Sequence, residues 1–123
     1  MPSPLQERSY ELLLRIASVT VEAGANERTK QIATQLFTSA LDLSIALESA
    51  SAAPNRIAVR QFLSDAHASL KHVKLWLRLL DDLGRIEPEA AHPLGTLAEE
   101  VHRILLSALR KSSQLNGTVN QGA

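Results

Sequence analysis

Residues 51–83 read SAAPNRIAVRQFLSDAHASLKHVKLWLRLLDDL, and this stretch decides the fold. Val59, Phe62, Leu63, Ala66, Leu70, Val73, Leu77 and Leu80 recur at steps of three and four, the mark of an amphipathic helix. At about 100° per residue, Arg56, Arg60, His67, Lys71, Lys74 and Arg78 fall within an arc of roughly 60° on that same helix. Their arc is centred about 110° from the apolar stripe. One helix therefore carries a core stripe and a separate positive stripe. Asn55 suits the N-cap and Gly84 the C-terminal stop, so the spacing predicts a helix over 55–84.

Three further segments share this period. After Pro4, Leu5, Leu13, Ile16, Ala17 and Val19 predict a helix over 5–23, closed by Gly24 and Asn26. Ile32, Leu36, Ala40, Leu43 and Leu47, widened by Ala33, Phe37 and Leu41, predict a second over 27–49. Glu87 to Pro93 holds two prolines and reads as a breaker-rich connection. Leu94, Leu97, Ala98, Val101, Ile104, Leu105 and Ala108 then predict a fourth helix over 94–114, with Thr96 and Glu99 spaced as a capping box. Residues 116–123 are polar and contain glycine, and read as a disordered tail. Four such helices with short connections specify an all-α, antiparallel up-down-up-down four-helix bundle, one domain over 1–115.

Composition agrees. Apolar residues make up 45% of the chain but aromatic ones only 3%, so the core is Leu, Ala, Ile and Val, which suits packed helices. Without cysteine there are no disulfides, thiolate metal sites or cysteine nucleophile. No apolar run approaches the ~20 residues of a membrane span, and the first four residues lack a charged region ahead of an apolar one. The expected compartment is the cytoplasm, with no membrane contact.

Thirteen basic and thirteen acidic residues leave zero net charge, but the charge is unevenly spread. Residues 51–80 carry five basic side chains against one acidic, whereas the segments on either side each carry four against six. A neutral chain is a poor nonspecific coat for nucleic acid, yet a local positive stripe permits a focused contact with a polyanion or an acidic partner. A solvated basic helix face is the alternative.

Leu75, Trp76, Leu79 and Leu83 lie on a face of the third helix outside both stripes. They are read as a subunit interface anchored by Trp76, the alternative being a thicker core. Signs of catalysis are missing. His67 and His72 are five apart, whereas two ligands on one helical face want three or four. His102 is near Glu99, and Asp81-Asp82 near Arg78 and Arg85, both pairings that a surface supplies without chemistry. There is no phosphate loop, nucleophile elbow or dinucleotide fingerprint. The expectation is a protein that is not an enzyme and takes no cofactor or metal.

Leu70-Lys71-His72-Val73-Lys74-Leu75-Trp76-Leu77-Arg78-Leu79-Leu80 resembles the third helix of the accessory variability proteins of diversity-generating retroelements. Glu100-Val101-His102-Arg103-Ile104-Leu105-Leu106-Ser107 is similar to their fourth. The wider relatives are four-helix bundles encoded in intervening sequences of bacterial 23S ribosomal RNA genes, whose turn after the second helix is similar to Asn55-Arg56-Ile57-Ala58. The resemblance implies a non-catalytic bundle assembled as a ring of five, with RNA or DNA and a reverse transcriptase as partners. It carries Lys74 and Arg78 over as basic positions beside Trp76, and Arg103 as the fourth-helix arginine. This chain departs in being neutral rather than basic and in having Ala108 near the place of a fourth-helix tryptophan. The candidate nucleic-acid set is thus Arg56, Arg60, His67, Lys71, Lys74, Arg78 and Arg103. The competing reading is a protein-only scaffold, its stripe paired with acids such as Glu7, Glu11 or Asp42.

Overall fold

The computed structural model describes the backbone of residues 3–23 and 26–122, and the side chains of 3–19 and 26–113. Four helices follow one another: α1 (Pro4–Ala23), α2 (Glu27–Ser51), α3 (Arg56–Asp82) and α4 (Pro88–Gly122). Each helix packs on its sequence neighbour and α4 closes back on α1, while among the described residues the backbones of the diagonal pairs stay apart. Connections this short reverse the chain at every step, which gives the antiparallel up-down-up-down bundle.

Local chemistry sets most helix ends. Asn26 and Asn55 are extended residues whose side-chain oxygens accept from the backbone N–H of Thr29 and Ala58, each at 2.8 Å. Each cap satisfies one of the donors that a helix start leaves orphaned. At the end of α3, Gly84 takes φ +68, Arg85 N–H donates to Leu80 C=O at 2.8 Å, and Gly84 N–H donates to Asp81 C=O at 3.0 Å. This Schellman closure needs a left-handed residue, which glycine adopts without strain. Gly24, the expected stop of α1, lies outside the described residues.

The fourth helix departs from its expected bounds at both ends. It begins at Pro88 rather than Leu94, because a proline in the first turn gives up an N–H that would have no partner there. Pro93 sits inside the helix and forfeits one bond without stopping it. Thr96 is therefore not a cap: its hydroxyl donates back to His92 C=O at 3.1 Å. At the other end the backbone stays helical to Gly122, through the residues read as a disordered tail. An interior glycine such as Gly117 costs only about 1 kcal/mol, a small penalty against extending an existing helix.

The core runs the length of the bundle. Leu12 and Ile16 of α1, Leu36 and Leu43 of α2, Leu70, Val73 and Leu80 of α3, and Leu94, Val101 and Leu105 of α4 are all fully buried. The four apolar stripes read from the sequence meet here, removing their surface from water. No helix is long and apolar enough to cross a membrane.

The expected assembly face on α3 divides. Trp76 and Leu79 are half-buried and pack against the chain's own core, whereas Leu75 and Leu83 are 54% and 50% exposed. Trp76 lies next to the core stripe in angle, so its large ring closes that edge of the bundle. A broader exposed apolar strip lies elsewhere. Tyr10 and Leu14 of α1 and Phe37, Leu41 and Ile45 of α2 recur at steps of four on their helices. Tyr10 and Ile45 line one groove between the two helices, beside Ser9 and Ser44.

Candidate nucleic-acid interface

The basic stripe of α3 faces neither the core nor open solvent alone; it runs along the flank that packs on α4. An antiparallel hairpin turning at 83–87 brings together residues at similar distances from the turn. His67 thereby meets His102, and Lys74 meets both Glu99 and His102. The His67 and His102 ring nitrogens Nε2 are 3.2 Å apart, with ring centroids at 5.2 Å and planes tilted by 38°. Lys74 Nζ stands 3.0 Å from His102 Nδ1 and 2.6 Å from Glu99 Oε1.

The electrostatics follow from this crowding. Burial, then the positive charge of Lys71, the electrostatic effect of the His102 ring and the charge of Lys74, hold the His67 pKa below the ordinary histidine value. The hydrogen bond from Lys74 holds Glu99 below the ordinary carboxylate range, with Lys74, His102 and Arg103 adding charge attraction. Glu99 therefore stays ionised through neutral pH.

The stripe is not uniformly available. Lys74 is engaged by Glu99, and Arg78 has Asp82 at 3.8 Å on its own helix. Arg56, Arg60, Lys71 and Arg103 are exposed and have no carboxylate within ion-pair distance among the described residues. Glu11, one acid proposed to answer the stripe, is taken by Arg8 at 2.9 Å and Arg15 at 3.0 Å on its own helix.

Next to the histidine pair, a groove of about 440 Å³ runs between α3 and α4, lined by Lys74, Leu75, Arg78, Asp81, Gly95 and Glu99. It shares Asp81, Gly95 and Glu99 with a wider depression of about 750 Å³ that reaches Arg103. A Cβ on Gly95 would meet nothing within 4 Å, so the groove is open above that residue. Among the described residues there is no cluster of three or more histidines and acids placed to hold a metal. His72 is exposed and stands apart from the pair.

Sequence reading placed His67, Lys74 and Arg103 in the candidate set but left out Glu99 and His102, which complete the cluster. The signal was available in the hairpin: His67 and His102 are nearly equidistant from Arg85, as antiparallel partners must be.

No family model matches the chain, and no curated protein matches it in sequence. Among solved structures, it is similar to a protein of unknown function from the S23 ribosomal protein family of Bacteroides thetaiotaomicron. That likeness has a TM-score of 0.80 at 19% sequence identity and covers 85% of this chain and 97% of the other. The two share the four-helix fold.

Proposed function

We propose that this chain is a non-catalytic, homo-oligomeric adaptor that binds nucleic acid along the α3–α4 flank. One observation carries the reading: in a chain of zero net charge, Arg56, Arg60, Lys71 and Arg103 stand on that flank without a carboxylate partner among the described residues. Unpaired guanidinium and ammonium groups offer phosphate the charge-assisted hydrogen bonds that no acid among the described residues takes up. Following the resemblance in the third and fourth helices, the subunits form a ring of five and serve a reverse transcriptase in the cytoplasm. In such a ring each modest patch repeats by symmetry, so one long strand is held by avidity.

The test is substitution of Arg56, Arg60, Lys71, Lys74 and Arg78 by glutamine. Binding of single-stranded RNA and DNA is lost at moderate salt, while helicity by circular dichroism and mass by light scattering are kept. The slope of log affinity against log salt flattens by roughly 0.7 for each phosphate contact removed. Equal binding by the substituted protein overturns the reading.

A second reading, a protein-only scaffold, is favoured by a different observation. Glu99 and Asp82 already answer Lys74 and Arg78 within one chain, and the exposed apolar strip of α1 and α2 suits association. Under that reading the five-fold glutamine variant weakens the bundle without touching any nucleic-acid contact.

A further inference from the structure

The hydrogen-bond chain Lys74–His102–His67 has a single polarity. Lys74 Nζ carries donors and no acceptor, so His102 Nδ1 must accept from it at 3.0 Å. The His102 proton then lies on Nε2 and is donated to His67 Nε2 at 3.2 Å, leaving the His67 proton on Nδ1. Both rings are neutral while this chain is intact. A further proton on His67 enters at Nε2, where it meets the N–H of His102. A further proton on His102 enters at Nδ1, where it meets the ammonium. Either addition breaks the chain.

The charges around the pair make the consequence specific. From α3, Lys71 and Lys74 act on His67; from α4, Glu99 pairs with Lys74 and is attracted by Arg103; among the described residues no charged group of α1 or α2 acts on His67. Arg8 of α1 is held by Glu100 at 3.1 Å, on the other flank of α4. Glu99 is the carboxylate in contact with the cluster, while Asp81 lines the same groove without an ion pair to it. A protonated pair therefore sits beside Lys71 and Lys74 and an open groove, where the contacting acid, Glu99, is shared with Lys74 and Arg103. A phosphate supplies what is missing there: negative charge and several acceptor oxygens.

We propose that His67, Lys74, His102 and Arg103 form a proton-gated phosphate site, in which a phosphate oxygen displaces Glu99 from Lys74 once the imidazole pair has taken up a proton. This rests on the polyanion reading above and says where a phosphate sits and what admits it. Before protonation the two ring nitrogens satisfy each other. Afterwards both present N–H groups and need an acceptor. The bound state holds more protons than the free state, so affinity rises as pH falls. The depressed pKa of His67 agrees, since its surroundings resist the proton until an anion arrives.

Two measurements on the whole protein test this. In nitrogen-resolved NMR of the histidines, inorganic pyrophosphate raises the titration midpoint of His67 and leaves the ring signals of exposed His72 unchanged. A His67 midpoint that ignores pyrophosphate overturns the site. In binding assays with labelled single-stranded RNA and the matching DNA, affinity rises by up to about tenfold per pH unit where one proton is taken up. The His67→Gln/His102→Gln variant, checked for helicity, loses that pH dependence. RNA or DNA binding whose pH dependence survives the double substitution sinks the phosphate site and leaves the adaptor reading standing. A pyrophosphate response with no binding of either nucleic acid sinks the adaptor reading and leaves a site for another phosphate.

Discussion

On the α1–α2 flank, Tyr10, Leu14, Phe37, Leu41 and Ile45 leave apolar side chains in water, whereas on the opposite α3–α4 flank His67, Lys74, Glu99 and His102 bridge the helices through polar atoms. Both flanks rest on the same aliphatic core. Among the described residues, Gln6 donates to Glu48 across α1 and α2 at 3.3 Å, and the buried Ser9 and Ser44 hydroxyls have no partner. Across α3 and α4 the links are charged and titratable. The contacts of the charged flank therefore depend on pH and salt, whereas the apolar flank carries few groups that either could change.

The hardest way to break this comparison is to remove what the two flanks share. Leu70 is fully buried in α3, and Leu70→Ala should cost about 2–5 kcal/mol, the range for emptying a packed aliphatic site. Thermal unfolding followed by circular dichroism would record a lower midpoint. A loss under 1 kcal/mol would mean that the flanks, rather than the common core, hold the bundle together.

A smaller effect sharpens the contrast, because only the charged flank contains histidines. The His67 pKa is lower in the fold than in the unfolded chain, so the fold favours the neutral ring. Its contribution is full above the ordinary value of 6.5 and is lost as pH falls through that value toward the depressed one. The unfolding midpoint should therefore drop on acidification in that window. His67→Gln keeps an acceptor for His102 but does not titrate, and should flatten the drop. An identical pH profile in the variant would show that the histidine pair is not a point of stress.

The smallest effect on stability belongs to the apolar flank. Leu41→Ser with Ile45→Ser alters side chains that are already exposed, so each should move stability by no more than about 0.5 kcal/mol. The same double variant should lower the light-scattering mass if this strip joins subunits. An unchanged assembly would turn attention to Leu75 and Leu83 on α3.

The sequence made some features plain and concealed others for identifiable reasons. Asn55 and Gly84 were legible because a cap and a left-handed stop are local chemistry, decided by one or two residues. Pro88 and Pro93 misled because a proline in the first turn costs no hydrogen bond and one just inside it costs a single bond, which the packing of α4 outweighs. Trp76 was read as an interface anchor from its place outside both stripes and from its residue type; that its ring also packs against the chain's own core was not legible from spacing. His102 was legible as a surface histidine near Glu99, but its partners His67 and Lys74 lie on another helix.

By itself the sequence determined the four apolar stripes, the helix caps and the gathering of positive charge on one side of α3, because periodicity and capping are properties of a chain segment. Tertiary structure alone decided which cations are spent and which are available. Pairing Lys74 with Glu99 and His67 with His102 depends on the register of two antiparallel helices, and that register is set by how their buried side chains interlock.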